Sequence, residues 1–176
     1  MAFFGLSNPY IAKLNSDGTY SDGFKCSEAV STAVTPAFNE GALYGDNKLV
    51  EYIKEFKNAA VEAGVTSLPI VAANILFGHK VTENSIIYNV DDAANYVGYG
   101  FISTELKKGK RVYGACILKK VLFAEGGDSY STKGDSITFN TPTISGTASA
   151  PDDGDNKEVK FFDKKTDAED FIKGYL

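Results

Sequence analysis

The chain has 176 residues, 43% hydrophobic and 12% aromatic against 23% charged, which is enough apolar material for one domain's core and excludes wholesale disorder. Its 18 Lys and Arg are outweighed by 23 Asp and Glu, giving a formal charge of −5, the wrong sign for a protein that grips nucleic-acid phosphates. No run approaches the roughly 20 apolar residues of a spanning helix, and the start, Met1 to Pro9, lacks the basic and apolar regions of a signal peptide.

Short apolar runs broken by Gly, Asn, Asp and Pro predict a chain dominated by strands, with few helices. Residues 46–63 fit two patterns. Leu49, Ile53, Phe56 and Ala60 lie at helical spacing, whereas Val50, Tyr52, Phe56 and Ala60 alternate as in a strand. Ser67 is placed to cap a helix over 68–77, with Pro69 in the first turn and Gly78 as the left-handed stop. Asp91 and Asp92 suit a helix start, since the dipole favours anions there. A strand follows over 96–104, in which Gly98 and Gly100 mark a bulge or a close backbone approach. Residues 107–110 turn the chain into a second strand over 111–123, and Glu125-Gly126-Gly127-Asp128 is turn chemistry. Alternation over 136–143 sets Ile137, Phe139 and Thr141 on one face of another strand. An acidic, turn-rich link over 150–158 is expected to project into solvent. Thr166 and Glu169 form a capping-box pattern for a closing helix whose inner face carries Ala168, Phe171, Ile172 and Tyr175.

The search for chemistry yields no catalytic, cofactor-binding or metal-binding set. The single His79 has no nucleophile in a recognisable arrangement beside it and reads as a structural or surface histidine. Gly98-Tyr99-Gly100 lacks the third glycine of a dinucleotide loop, because Ser103 stands there. Asp152, Asp153, Asp155 and Glu158 lack the glycine and bidentate glutamate of a calcium loop. Cys26 and Cys116 have no metal-ligand spacing and read as two buried, reduced thiols. An aromatic-rich folded chain without such a set points to binding or assembly rather than catalysis.

Several stretches, taken together and in order, resemble the major tail proteins, the tail tube subunits, of long-tailed bacteriophages (siphophages). Gly5-Leu6 with Pro9-Tyr10 resembles the family's opening. Ala42-Leu43-Tyr44-Gly45-Asp46-Asn47 is similar to its assembly segment, and Leu76-Phe77-Gly78-His79 to the end of its middle helix. Asp91 to Phe101 resembles a helical turn leading into a glycine-punctuated strand. The most specific stretch runs from Val121-Leu122-Phe123-Ala124-Glu125 through Tyr130 to Thr147, and Phe162-Asp163 with 166–172 matches the closing helix. The resemblance extends from about Phe3 to Gly174.

The resemblance implies an α+β, mainly β fold: one tail tube domain over 1–176, a β-sandwich or half-barrel with a flanking helix and a short C-terminal helix. Because it covers both flanks of 50–65, it implies a strand there, although Glu51, Lys54, Glu55 and Lys57 replace the family's usual Thr, Ser and Gly. It implies a structural virion protein that is not an enzyme and needs no cofactor: homohexameric rings stack into a tube through which double-stranded DNA passes without specific binding. The implied partners are other copies of itself, a tape measure protein, a tail terminator and distal tail or baseplate proteins, with no membrane. The protein would be made in the host cytoplasm, from a virus or prophage, and carried in the virion tail. An assembly loop at about 38–50 is expected, and Gly41, Leu43, Tyr44 and Asp46, with Pro9 and Tyr10, are the expected contacts between subunits and rings. Six acidic copies around DNA further imply an acidic or neutral bore, since basic walls would exchange counterions with the DNA and hold it. The alternatives are the inner tube of a contractile tail or injection system, or a non-catalytic β-sandwich module that binds, for example, carbohydrate or decorates a capsid.

Overall fold

A computed structural model describes residues 3–127, 132 and 141–176. The chain forms β1 (Phe3–Leu14), β2 (Tyr20–Lys25), β3 (Ala29–Gly45), β4 (Lys48–Val65), α1 (Ile70–Phe77), β5 (Lys80–Val81), β6 (Ile86–Ile87), β7 (Tyr96–Lys107), β8 (Lys110–Ala124), β9 (Thr143–Ala148), β10 (Lys157–Phe162) and α2 (Lys165–Tyr175). The fold is thus mainly β, with two short helices among the described residues. All pairings are antiparallel, and the large sheet runs β2-β1-β7-β8-β9-β4-β3. One edge of β8 pairs with β7 throughout, while its other edge serves β10 over 113–118 and β9 over 121–124. A separate small hairpin joins β5 to β6.

The sheet curls over on itself. Thr32 of β3 and Tyr99 of β7 have three strands between them in the order, yet their hydroxyls lie 2.7 Å from one another. The enclosed core takes Ile11 from β1, Val61, Ala63 and Val65 from β4, Tyr99 from β7, Leu118, Val121 and Phe123 from β8, and Ile75 and Leu76 from α1. A second core on the opposite face of β7 and β8 seats Ala168, Ile172 and Leu176 against Ala12, Ile102, Ala115 and Ile117. Gly98 and Gly100 make this seat: a Cβ on Gly98 would stand 2.7 Å from the Tyr20 ring, and one on Gly100 would stand 2.7 Å from Ile172. A register shift between Val97 and Tyr99 adds the bulge.

Residues 48–65 form a strand, as the resemblance implies, and the helical spacing read there carries no structure. The 107–110 turn has positive φ at Lys108 and Gly109 (50° and 80°). The first helix begins at Ile70, because Pro69 is extended (ψ 151°) at the N-cap and Ser67 bonds Ser27 at 2.5 Å instead of capping; Gly78 is the left-handed stop as read (φ 75°). No capping box forms at Thr166, since α2 starts at Lys165 behind an extended Lys164 without a side-chain cap. Asp91 and Asp92 start no helix and sit in a turn. The acidic link is exposed over 152–155, as expected, and is also tied to β8, with Lys119 Nζ 3.2 Å from Asp153 and 3.5 Å from Asp155. Most of the strand read at 136–143, like the Tyr130 stretch of the resemblance, lies outside the described residues. Cys26 and Cys116 are free and buried, and burial pushes their thiols up to about 12 and about 11.

Candidate assembly arm

Among the described residues, only the base of the β3–β4 hairpin is paired to the rest of the sheet. Ala59 to Gly64 pair with β9, whereas beyond Pro36 and Ala59 the two strands pair with each other alone. At about 3.4 Å per residue, the ten residues from Pro36 to the tip extend roughly 30 Å. A two-residue turn closes the tip: Asp46 and Asn47 both have positive φ (49° and 62°), as a type I′ turn requires, and Asn and Asp accept that conformation more readily than other side chains.

The arm exposes large apolar side chains among charged ones such as Glu40, Glu51 and Lys54. Register sets Phe38 with Phe56, Ala42 with Tyr52 and Tyr44 with Leu49 on one face, and Gly41 with Ile53 and Leu43 with Glu51 on the other. Leu43 and Tyr44 are 59% and 68% exposed, and Leu49, Val50, Tyr52 and Ile53 are all more than half exposed. Single exposed apolar residues are ordinary, but a two-sided cluster on one projecting element marks an interaction surface. Cross-strand contacts stiffen it. Lys54 lies 2.7 Å from Glu40 and 4.7 Å from the centre of the Phe38 ring, which meets Phe56 edge-to-face at 6.2 Å. Lys54 and then Tyr52 hold the Glu40 carboxyl below its ordinary range, and Glu40 in turn raises the Lys54 ammonium.

Of the residues expected at interfaces, Gly41, Leu43, Tyr44 and Asp46 are gathered and exposed on this arm. It is a strand hairpin rather than a loop. Pro9 and Tyr10 do not join it: Pro9 is buried, its carbonyl accepting the Cys26 N–H at 2.8 Å, and Tyr10 packs half-buried against the second core. On the return strand, Leu49 and Val50 fall inside the loop expected at about 38–50 without being named as contacts, and Tyr52 and Ile53 lie beyond it. Their signal was the alternation of Val50 and Tyr52, which the helical spacing of Leu49 and Ile53 obscured.

A second polar cluster lies behind α1. His79 is buried, with Nδ1 2.7 Å from an Asp92 oxygen and Nε2 3.4 Å from a Glu125 oxygen. Asp92 also accepts the Asn89 N–H at 2.9 Å, and the His79 contact leads in holding its carboxyl below the usual range. Among the described residues, no group of three or more His, Cys, Asp or Glu side chains is placed to hold a metal ion, and no helix is long and apolar enough to cross a membrane.

The chain matches no protein-family model and no curated protein.

Proposed function

We propose that the chain is a tail tube subunit of a long-tailed bacteriophage, assembling into hexameric rings that stack around a bore for double-stranded DNA. The observation that carries this reading is the arm: about ten residues per strand, with apolar side chains on both faces that no other element among the described residues covers. An isolated two-stranded ribbon is marginal in water. A partner that buries it supplies what the protomer lacks, and obligate interfaces of this kind cover on the order of 2,000 Å² or more.

The sheet's borders support the same reading. Among the described residues, the outer edge of β3, the outer edge of β2 and the second edge of β10 have no strand paired along them, an aggregation hazard unless identical copies pair there. Closed rotational symmetry removes such edges by joining each copy to the next. The protein's role in this reading is structural and non-catalytic, within the virion tail, with tape measure, terminator and distal tail proteins at the tube's ends. The formal −5 of each chain suits a bore across which DNA slides, because an acidic or neutral wall releases no counterions to it.

Deleting the gene and imaging the progeny particles tests the reading. Particles without tails are expected, and intact tails of normal length would overturn it.

A further inference from the structure

The cluster behind α1 holds a buried imidazole, His79, between the carboxylates of Asp92 and Glu125. The His79 backbone is fixed on both sides, its N–H reaching the Ala73 carbonyl at 3.2 Å and its own carbonyl accepting from Asn74 Nδ2 at 2.9 Å. The imidazole is walled by Tyr88 and Phe77, with ring centres at 4.5 and 5.9 Å. With Nδ1 committed to Asp92, Nε2 is left buried with no hydrogen-bond partner among the described residues. It faces Glu125, whose side chain is half exposed, and both residues line a cleft of about 640 Å³ bounded by Leu68, Ala72, Tyr88 and Thr143.

A carboxylate that orients a histidine through one ring nitrogen, leaving the other free, is the common second-layer arrangement of metal-binding imidazoles. The bite also fits. A tetrahedral zinc ion bonded at about 2.0–2.2 Å to nitrogen and oxygen holds those two atoms about 3.3–3.5 Å apart, and the separation from Nε2 to the Glu125 oxygen is 3.4 Å. The geometry points to a site for one borderline divalent cation such as Zn²⁺, ligated by His79 Nε2 and Glu125, oriented by Asp92 and completed by water from the cleft. Imidazole with carboxylate and water suits Zn²⁺ and Co²⁺ better than Ca²⁺ or Mg²⁺, which prefer oxygen alone. Bound there, the ion would tie the end of α1 to the end of β8 and reinforce the first core, whether or not the chain assembles.

The test is titration of the tag-free, chelator-stripped full chain with Zn²⁺ by calorimetry and with Co²⁺ by visible absorption. The expected result is saturable binding of one ion per chain and a Co²⁺ ligand-field band. Glu125→Gln, at a half-exposed position outside the core, should weaken binding at least tenfold, His79→Gln should abolish it, and Asp92→Asn should weaken it about 10–100-fold. Absence of saturable binding by the wild type would overturn the site and leave His79 as a bridge between two carboxylates. Undiminished binding by Glu125→Gln would overturn it equally, placing the ions elsewhere, for instance on the acidic link.

Discussion

Tyr44 and Leu49 face each other across the tip of the arm, both more than half exposed and with no other element of the described residues above them. Their side chains contribute to no core, so polar replacement should leave the fold alone and remove only what the arm binds. The double variant Tyr44→Ser, Leu49→Ser is expected to change protomer stability by no more than about 0.5 kcal/mol per site, while polymer formation in sedimentation falls away. Retained polymerisation would separate the arm from assembly.

The turn at Asp46 and Asn47 makes a sharper demand on the backbone. A β-branched residue at positive φ is strained, so Asn47→Val should cost about 1–2 kcal/mol of local arm stability, whereas Asn47→Gly should be neutral or favourable. Amide hydrogen exchange along 38–56 measures this: protection lost in the Val variant and kept in the Gly variant is the expected pattern, and equal protection in both would contradict the turn.

The packing of α2 depends on two missing side chains. At Gly98 a Cβ would stand 2.7 Å from Tyr20 and would also meet Leu176, so the helix end must lift or the ring must move. Gly98→Ala is expected to destabilise by about 1–3 kcal/mol in denaturant unfolding. Gly41→Ala, whose Cβ would meet nothing, should fall within about 0.5 kcal/mol of wild type.

The β7–β8 hairpin and the seat for α2 were legible in the sequence because their residues answer to a buried core. Gly98 and Gly100 read correctly as close approaches, and Ala168 and Ile172 kept helical spacing for the same reason. The β4 strand was not legible from periodicity, because its outer half faces no core and Leu49, Ile53 and Phe56 are free to fall at helical intervals. Turn and cap patterns failed where tertiary contacts took the side chain: Ser67 is bonded to Ser27, and Asp92 is engaged by His79. Only the resemblance directed attention to 38–50, and it gave no measure of how far the hairpin projects.

Acid should weaken the tie between the link and β8. The Asp155 backbone N–H and then the Lys119 ammonium hold the Asp153 carboxyl below its ordinary range. Burial opposes the Lys119 charge, but Asp153 and the Tyr175 hydroxyl outweigh it and raise that ammonium. A carboxyl depressed in the folded state contributes stability above its unfolded pKa, near 4, and loses it as pH falls through the folded value. Asp153→Asn should therefore lower the melting temperature at neutral pH and make the acid decline below about pH 4 shallower. Parallel melting curves from pH 2.5 to 7 decide it, and identical slopes would contradict the pairing.

The central claim concerns how copies of the chain close around an axis, and negative-stain electron microscopy of the purified full-length protein at rising concentration tests it most directly. Rings of six with an open axial bore, stacking into tubes of uniform width, are the predicted result. A population that stays monomeric, or closes as trimers without a bore, at concentrations where the arm ought to be buried would contradict it.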